Sequence, residues 1–211
     1  MDDVEEKGIK VILLGESGVG KTNLIRVAMG NPFDKSTISS ITSSYYENEI
    51  IVNNKQYNYC LWDTAGQEIY RSLNQMFVKE SKIVLIVFAI DNKKSFEEVD
   101  FWVKYTKDQL GNDKYILALV ANKSDLYMSQ EVSDEECEKK AQEYNIKLTI
   151  TSAAEDAVGF KKFLNELLEE YIIKIYPTEL NRPKTFKIEE EKKDKNGDNN
   201  DDKKKKKKNC C

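Results

Sequence analysis

The sequence contains no histidine, which excludes histidine-based acid–base catalysis and histidine metal ligands. It has only four cysteines, and their spacing fits none of the usual zinc patterns. Cys60 and Cys137 are isolated, and we expect them to be reduced thiols that pack inside the domain. Cys210 and Cys211 are adjacent at the end of the sequence, a placement that packing does not explain.

Long apolar runs and an excess of positive charge are also missing. The sequence has no apolar stretch of about 18 residues, so it predicts no transmembrane helix. The acidic start at residues 1–3 lacks the basic region of a signal peptide, and we expect a cytosolic chain. A net charge of −4 gives no reason to expect nucleic acid as a partner.

What the sequence does have is an alternation of short apolar runs with longer helical patterns. Predicted strands are Lys10–Leu14, Asn48–Val52, Tyr57–Trp62, Ile83–Ala89, Tyr115–Ala121 and Lys147–Ile150. Predicted helices lie near residues 21–29, 95–110, 133–144 and 157–175. This order predicts an α/β fold, with a mainly parallel six-stranded sheet and helices on both faces. A turn at Asn53-Asn54-Lys55 predicts a hairpin, and hence one antiparallel edge strand.

The strongest motif follows the first predicted strand and leads into the first predicted helix. It is the phosphate-binding loop pattern GxxxxGK(S/T), formed by Gly15, Glu16, Ser17, Gly18, Val19, Gly20, Lys21 and Thr22. The glycines let backbone N–H groups turn toward phosphate oxygens, at the positive end of the helix dipole. Lys21 offers a charge to the β- and γ-phosphates, and Thr22 offers a hydroxyl to Mg²⁺. The context predicts a P-loop NTPase fold, and Asn23 completes the predicted nucleotide-binding segment.

Further motifs follow the third, fifth and sixth predicted strands. Asp63 ends the third strand and can hold Mg²⁺ through water, while Gly66 can reach a γ-phosphate and Gln67 can orient an attacking water. After the fifth strand, Asn122 and Lys123 precede Asp125, a carboxylate that accepts hydrogen bonds from the N1–H and N2–H₂ donors of guanine. Adenine lacks those donors, so the motif predicts selection of GTP. The base pocket is completed after the sixth strand by Ser152, Ala153 and Ala154.

Together GESGVGKT, WDTAGQE, NKSD and TSA, in this order, resemble the Ras-like small GTPases, and among these the Rab family. The resemblance covers residues 8–176, with an N-terminal extension at 1–7 and a tail at 177–211. The charged tail is low in apolar residues, and we expect it to be disordered. By the same resemblance, Phe33 stacks on the guanine, and Ser40 binds Mg²⁺ and the γ-phosphate.

The resemblance also implies partners. Effectors would read switch I and switch II, through Ile41, Tyr45, Trp62 and Phe77. An exchange factor and a GTPase-activating protein would set the nucleotide state, and a GDP-dissociation inhibitor would carry the protein between cytosol and membrane. We expect a location on the cytoplasmic face of an endomembrane or vesicle.

The end of the sequence predicts a membrane anchor. Six consecutive lysines, Lys203–Lys208, precede Cys210 and Cys211, an ending that resembles the Rab substrates of the prenylation machinery, in which both cysteines are lipidated. Two lipid chains, or one chain with basic charge, hold a membrane stably. The lysines would add attraction to an anionic leaflet.

The residues therefore predict a Rab-like, GTP/GDP-switched regulator of vesicle trafficking with slow hydrolysis. Ser40 replaces the family's Thr, Thr42 replaces its Gly, and Ala154 replaces its Lys. These departures leave open an alternative, a membrane-tethered adaptor that binds GTP with little or no hydrolysis. A third possibility, an ATP-using P-loop kinase or transporter subunit, is disfavoured by Asp125.

Overall fold

A computed structural model describes residues 8–36, 44–64 and 78–175. The strands are β1 (Ile9–Leu14), β2 (Ser44–Val52), β3 (Lys55–Asp63), β4 (Ile83–Ala89), β5 (Ile116–Asn122) and β6 (Lys147–Ile150). The α-helices are α1 (Lys21–Ala28), α2 (Lys93–Glu97), α3 (Val99–Leu110), α4 (Asp134–Tyr144) and α5 (Ala157–Glu170). A 3₁₀ helix spans Ser124–Ser129, and a π-helical turn, Tyr171–Ile175, continues α5.

The strands form one sheet in the order β2-β3-β1-β4-β5-β6. Every neighbouring pair is parallel except β2 and β3, which are antiparallel. These two strands join through Asn53 and Asn54, and both residues have positive φ, as a two-residue type I′ hairpin requires. The mainly parallel six-stranded sheet with one antiparallel edge strand, predicted from the sequence, is confirmed.

The helices lie on both faces of the sheet because its central strands are apolar on both sides. In β1, Val11 and Leu13 pack into a core with α1 and α5. Ile12 and Leu14, which point the other way, pack into a second core with α2, α3 and α4. All seven residues of β4 are buried, as expected of a parallel strand that is covered on both faces. The predicted packing role of Cys137 fits its place in the second core, where burial raises its pKa to about 11.

Some predicted element boundaries were wrong. β2 begins at Ser44 rather than Asn48, because the edge strand pairs with β3 along its whole length. The helix predicted at 95–110 is two helices that meet at Glu98, and Asn92 caps the first by accepting a hydrogen bond from Ser95 N–H. The last helix leaves the α geometry at Tyr171. None of these differences moves a predicted site motif, since the motifs follow the strands.

Candidate nucleotide-binding site

The predicted motifs gather at one edge of the sheet, where the carboxyl ends of the parallel strands meet. The phosphate-loop segment follows β1, Asp63 ends β3, Asn122 ends β5, and Ser152 lies two residues beyond β6. In open α/β sheets, ligands bind in the crevice outside these ends. The sheet order therefore brings together side chains that are far apart in the sequence.

The phosphate loop has a backbone that only glycine adopts easily. Gly15 has φ of 145°, and a Cβ there would lie 2.0 Å from the carbonyl oxygen of Val87. Gly20, the N-cap of α1, has φ of 95° in the left-handed region, and a Cβ there would lie 2.4 Å from Asn122 Nδ2. These two glycines let the loop approach β4 and the end of β5 closely.

Lys21, the first residue of α1, is almost completely buried, with 4% of its surface exposed. Its Nζ donates hydrogen bonds to the carbonyl oxygens of Gly15 and Glu16, each 2.8 Å long. Burial lowers its pKa to about 8, against the opposing influence of the acidic groups of Asp63 and Glu16. A buried ammonium gains most from an anionic partner, so these residues fit the phosphates of a nucleotide.

A hydroxyl and a carboxylate lie side by side next to Lys21. Thr22 Oγ1 donates a 2.8 Å hydrogen bond to Asp63 Oδ2, and Asp63 is 1% exposed. The neighbouring Thr64 hydroxyl donates to the Leu13 carbonyl at 2.7 Å and fixes the end of β3 against β1. Within the described ranges, no group of three or more carboxylates and cysteines is gathered as a metal cage. Two oxygen ligands beside a phosphate site fit Mg²⁺, which usually takes one or two protein ligands and the phosphates of the substrate.

The residues assigned to the base are held by a network around Ser152. Its hydroxyl donates to Asp125 Oδ1 and accepts hydrogen bonds from the backbone N–H groups of Ala154 and Glu155, at 3.0 and 3.1 Å. Ala153 is buried, and its N–H donates to Asn122 Oδ1 at 3.1 Å. The two predicted base loops are therefore joined by side chains, with the Asp125 carboxylate at their junction.

Lys123 has left-handed backbone, with φ of 66°, and its Nζ lies 3.3 Å from Asp91 Oδ1. Sequence reasoning did not single out Asp91, although it follows β4 at the same edge of the sheet. It also missed a structural role of Asn23, beyond its predicted place in the nucleotide-binding segment. The side-chain amide of Asn23 forms hydrogen bonds with both the carbonyl and the N–H of Asp34. The position of Asp91 just after a buried strand could have indicated a site residue. No sequence pattern could have indicated the contact between Asn23 and Asp34.

The other predicted site residues divide into two groups. Phe33 is 41% exposed, and Tyr45 stacks on Trp62 with ring centroids 5.3 Å apart. The remaining predicted residues lie outside the described residues: Ser40, Ile41, Gly66, Gln67, Phe77, Lys203–Lys208, Cys210 and Cys211. Every helix in the described ranges is too short or too polar to cross a membrane.

Comparisons with known proteins agree with the geometry. The model of the Ras family matches residues 10–173. The chain is 35% identical to Ras-related protein RABF2a of Arabidopsis thaliana over 170 residues, which is 81% of this chain and 84% of that protein. It is 34% identical to Ras-related protein RABF2b of the same plant, with the same coverage.

Proposed function

Because this chain belongs to the Ras family and resembles its Rab members, we propose that it is a GTP/GDP-switched regulator of vesicle trafficking. One observation supports the nucleotide-binding part of the proposal. A buried lysine, a hydroxyl–carboxylate pair and a carboxylate suited to guanine lie at the same edge of the sheet. All three lie at or just beyond the carboxyl ends of strands, where a nucleotide of this family would lie.

Guanine selection is assigned to Asp125. Ser152 donates to one oxygen of its carboxylate, which leaves the group oriented and able to accept from the donors on the guanine edge. Adenine presents no such donors, so its binding would remove water from the Asp125 carboxylate without supplying hydrogen bonds in return. Asn122, Lys123, Ser152, Ala153 and Ala154 complete the pocket, and Phe33 covers the other face of the base.

Phosphate binding is assigned to the loop from Gly15 to Thr22, with Lys21 as the charged contact. Thr22, Asp63 and Ser40 would hold Mg²⁺, which when bound neutralises charge that develops on the phosphates. Lys21 stays in place through its two carbonyl contacts and so presents its charge without reorganisation.

Hydrolysis is assigned to Gln67, which would orient the attacking water against the γ-phosphate. We expect the intrinsic rate to be slow, because the phosphate-binding segment Gly15–Thr22 contains no arginine that could stabilise the charge of the transition state. A GTPase-activating protein would supply that charge, and an exchange factor would release GDP.

The switch would depend on contacts of Ser40 and Gly66 with the γ-phosphate. These contacts order switch I and switch II, and hydrolysis removes them. Effectors would read the ordered surface through Ile41, Tyr45, Trp62 and Phe77. The stacked pair of Tyr45 and Trp62 supports this assignment, since more than half of the Tyr45 surface is exposed while Trp62 is partly buried beneath it.

The membrane location is assigned to prenyl groups on Cys210 and Cys211, with Lys203–Lys208 facing an anionic leaflet. A GDP-dissociation inhibitor would return the lipidated protein to the cytosol. The family relationship favours this switch over the GTP-binding adaptor with little or no hydrolysis.

The experiment is to purify the full chain from a bacterial host, denature it, and identify the released nucleotide by chromatography. GDP in near-equal amount to protein is the expected result. Mostly GTP would favour the adaptor, because binding would persist without turnover. An adenine nucleotide, or none at all, would overturn the assignment of Asp125 and of the phosphate loop.

A further inference from the structure

The side chain of Asn23 ties the first helix to the loop that follows it. Asn23 is the third residue of α1, directly after Thr22. Its Nδ2 donates to the carbonyl oxygen of Asp34 at 3.0 Å, and its Oδ1 accepts from the N–H of Asp34 at 3.1 Å. The Asn23 amide therefore forms hydrogen bonds with both the N–H and the carbonyl of Asp34, eleven positions away. This pair of bonds fixes the backbone of Asp34, as pairing with a neighbouring β-strand would.

Asp34 in turn organises the residues after it. Its Oδ1 accepts hydrogen bonds from Ser36 N–H, at 2.9 Å, and from the Ser36 hydroxyl, at 2.6 Å. At the other end of the loop, Gly30 and Asn31 donate their N–H groups to Val27 and Arg26 carbonyls and close α1. The loop between α1 and Asp34 is thus held at both ends.

Phe33 lies inside this loop, next to Asp34, and 41% of its surface is exposed. The two hydrogen bonds from Asn23 hold the backbone of its neighbour Asp34 against α1 and so restrain the backbone next to Phe33. An aromatic side chain that must lie flat against a base needs a fixed backbone, because a base stack is lost when the ring swings away.

We propose that Asn23 is a positioning residue that holds Phe33 over the guanine and so slows the release of nucleotide. The inference rests on the proposed function of the site, because it takes Phe33 to be the base-stacking residue. Asn23 then acts on the base through its side chain, in addition to any contact that its backbone N–H makes with a phosphate.

The experiment measures the release of a fluorescent GDP analogue from the full chain in the presence of Mg²⁺, for four proteins. These are the wild type, Asn23→Ala, Phe33→Ala and the double variant. Asn23→Ala keeps the backbone N–H and favours the helix, so α1 should remain intact. We expect release to be about five to thirty times faster in Asn23→Ala, the effect of losing one or two ordinary hydrogen bonds.

The release rate of the double variant decides whether Asn23 acts through Phe33. If Asn23 acts through Phe33, Asn23→Ala adds little to the rate already reached in Phe33→Ala. Equal acceleration in both backgrounds would overturn the proposal, since Asn23 would then act on the phosphates or on Thr22. An unchanged rate in Asn23→Ala alone would overturn it as well.

Ser36→Ala is the matched control, because it removes a hydroxyl contact to Asp34 in the same loop and leaves both Asn23 bonds in place. We expect its release rate to stay within about twofold of wild type, and an acceleration equal to that of Asn23→Ala would mean general loosening of the loop and overturn the proposal. If Asn23→Ala does not fold, Asn23→Ser takes its place in the same cycle. Failure of the wild type to bind GDP would instead overturn the proposed function.

Discussion

Asn122 Nδ2 donates a 2.7 Å hydrogen bond to the carbonyl oxygen of Val19, a residue 103 positions earlier in the chain. Its Oδ1 accepts from the Ala153 N–H at 3.1 Å. One buried amide therefore joins the phosphate loop to both base loops. A site divided among three loops acts as a unit only if such a link sets the distance between its parts.

Asn122→Ala should weaken GDP binding by about ten- to a hundredfold. It leaves the Val19 carbonyl and the Ala153 N–H without their buried partner. The expected factor corresponds to about 1.4–2.8 kcal/mol, within the cost of one unsatisfied buried group. Equilibrium titration with fluorescent GDP measures the change. Asn58→Ala, at an exposed position of β3, is the control and should bind normally. Normal affinity in Asn122→Ala would show that the loops hold their places without the amide.

Gly20→Ala should also lower nucleotide affinity, because the new Cβ would lie 2.4 Å from Asn122 Nδ2. Gly30→Ala is a matched control: Gly30 also has positive φ, 81°, but a Cβ there would meet nothing within 4 Å. Both variants carry backbone strain of about 1–2 kcal/mol, and only Gly20→Ala carries the clash. We expect loss of GDP binding by calorimetry in Gly20→Ala alone. If the two variants bind GDP with similar affinity, the loss of affinity in Gly20→Ala would be due to backbone strain and not to the clash with Asn122.

Gln67→Leu should slow single-turnover GTP hydrolysis at least about tenfold, because the leucine side chain cannot orient a water. GTP affinity should change little, since the phosphate and base residues remain. Rapid mixing of GTP-loaded protein with Mg²⁺, followed by measurement of released phosphate, gives the rate. A rate equal to that of wild type would remove Gln67 from the mechanism.

Replacing both terminal cysteines, Cys210→Ser with Cys211→Ser, should make the protein wholly soluble in a eukaryotic cell. Prenyl transfer needs a thiol, and six lysines without a lipid bind an anionic surface reversibly. Fractionation of the tagged full chain measures the partition between membrane and cytosol. Substitution of Cys60 by serine is the control for loss of a thiol elsewhere. Membrane association that survives the double substitution would contradict the assigned anchor.

Asp100→Asn should remove a stabilising contribution that exists at neutral pH and disappears in acid. Partial burial opposes ionisation of Asp100, but hydrogen bonds from Lys140 Nζ and the Tyr144 hydroxyl, each 2.8 Å, outweigh it and lower the pKa. A lowered pKa means that the folded state favours the ionised carboxylate. The contribution is therefore complete above the ordinary pKa of 3.8 and is lost as the pH falls through the lower folded value.

The difference in free energy of unfolding between wild type and Asp100→Asn should be about 1 kcal/mol or less at pH 7, because Asp100 is half exposed and solvent screens the pair. Urea unfolding should show the same difference in free energy at pH 7 and 5 and a smaller difference as the pH is lowered through 4 to 3. Asp108→Asn, at an exposed position of the same helix, is the control for the change from a carboxylate to an amide. If the difference in free energy of unfolding grew as the pH is lowered, the pKa of Asp100 would be raised rather than lowered in the folded state.

Local signals in the sequence were sufficient for most of the fold. The apolar runs of β1, β4 and β5 predicted buried parallel strands, and Asn53-Asn54 predicted the hairpin, because asparagine tolerates the positive φ that a type I′ turn needs. The break at Glu98 was not predicted, since the residues on both sides keep one apolar face. The start of α2 at Lys93 was not predicted either, because the cap by Asn92 became evident only in the structure.

The sequence by itself predicted the chemistry of the candidate site, through residue types at fixed spacing at or just beyond the ends of strands. The lysine, the hydroxyl and the carboxylates of the site could all be named before any coordinate was known. The tertiary structure alone decided how they are held: Asn23 on Asp34, Asn122 on Val19, and Lys123 beside Asp91. Those contacts join residues 11, 103 and 32 positions apart, and sheet order and loop closure, which no local pattern records, set the distances between them.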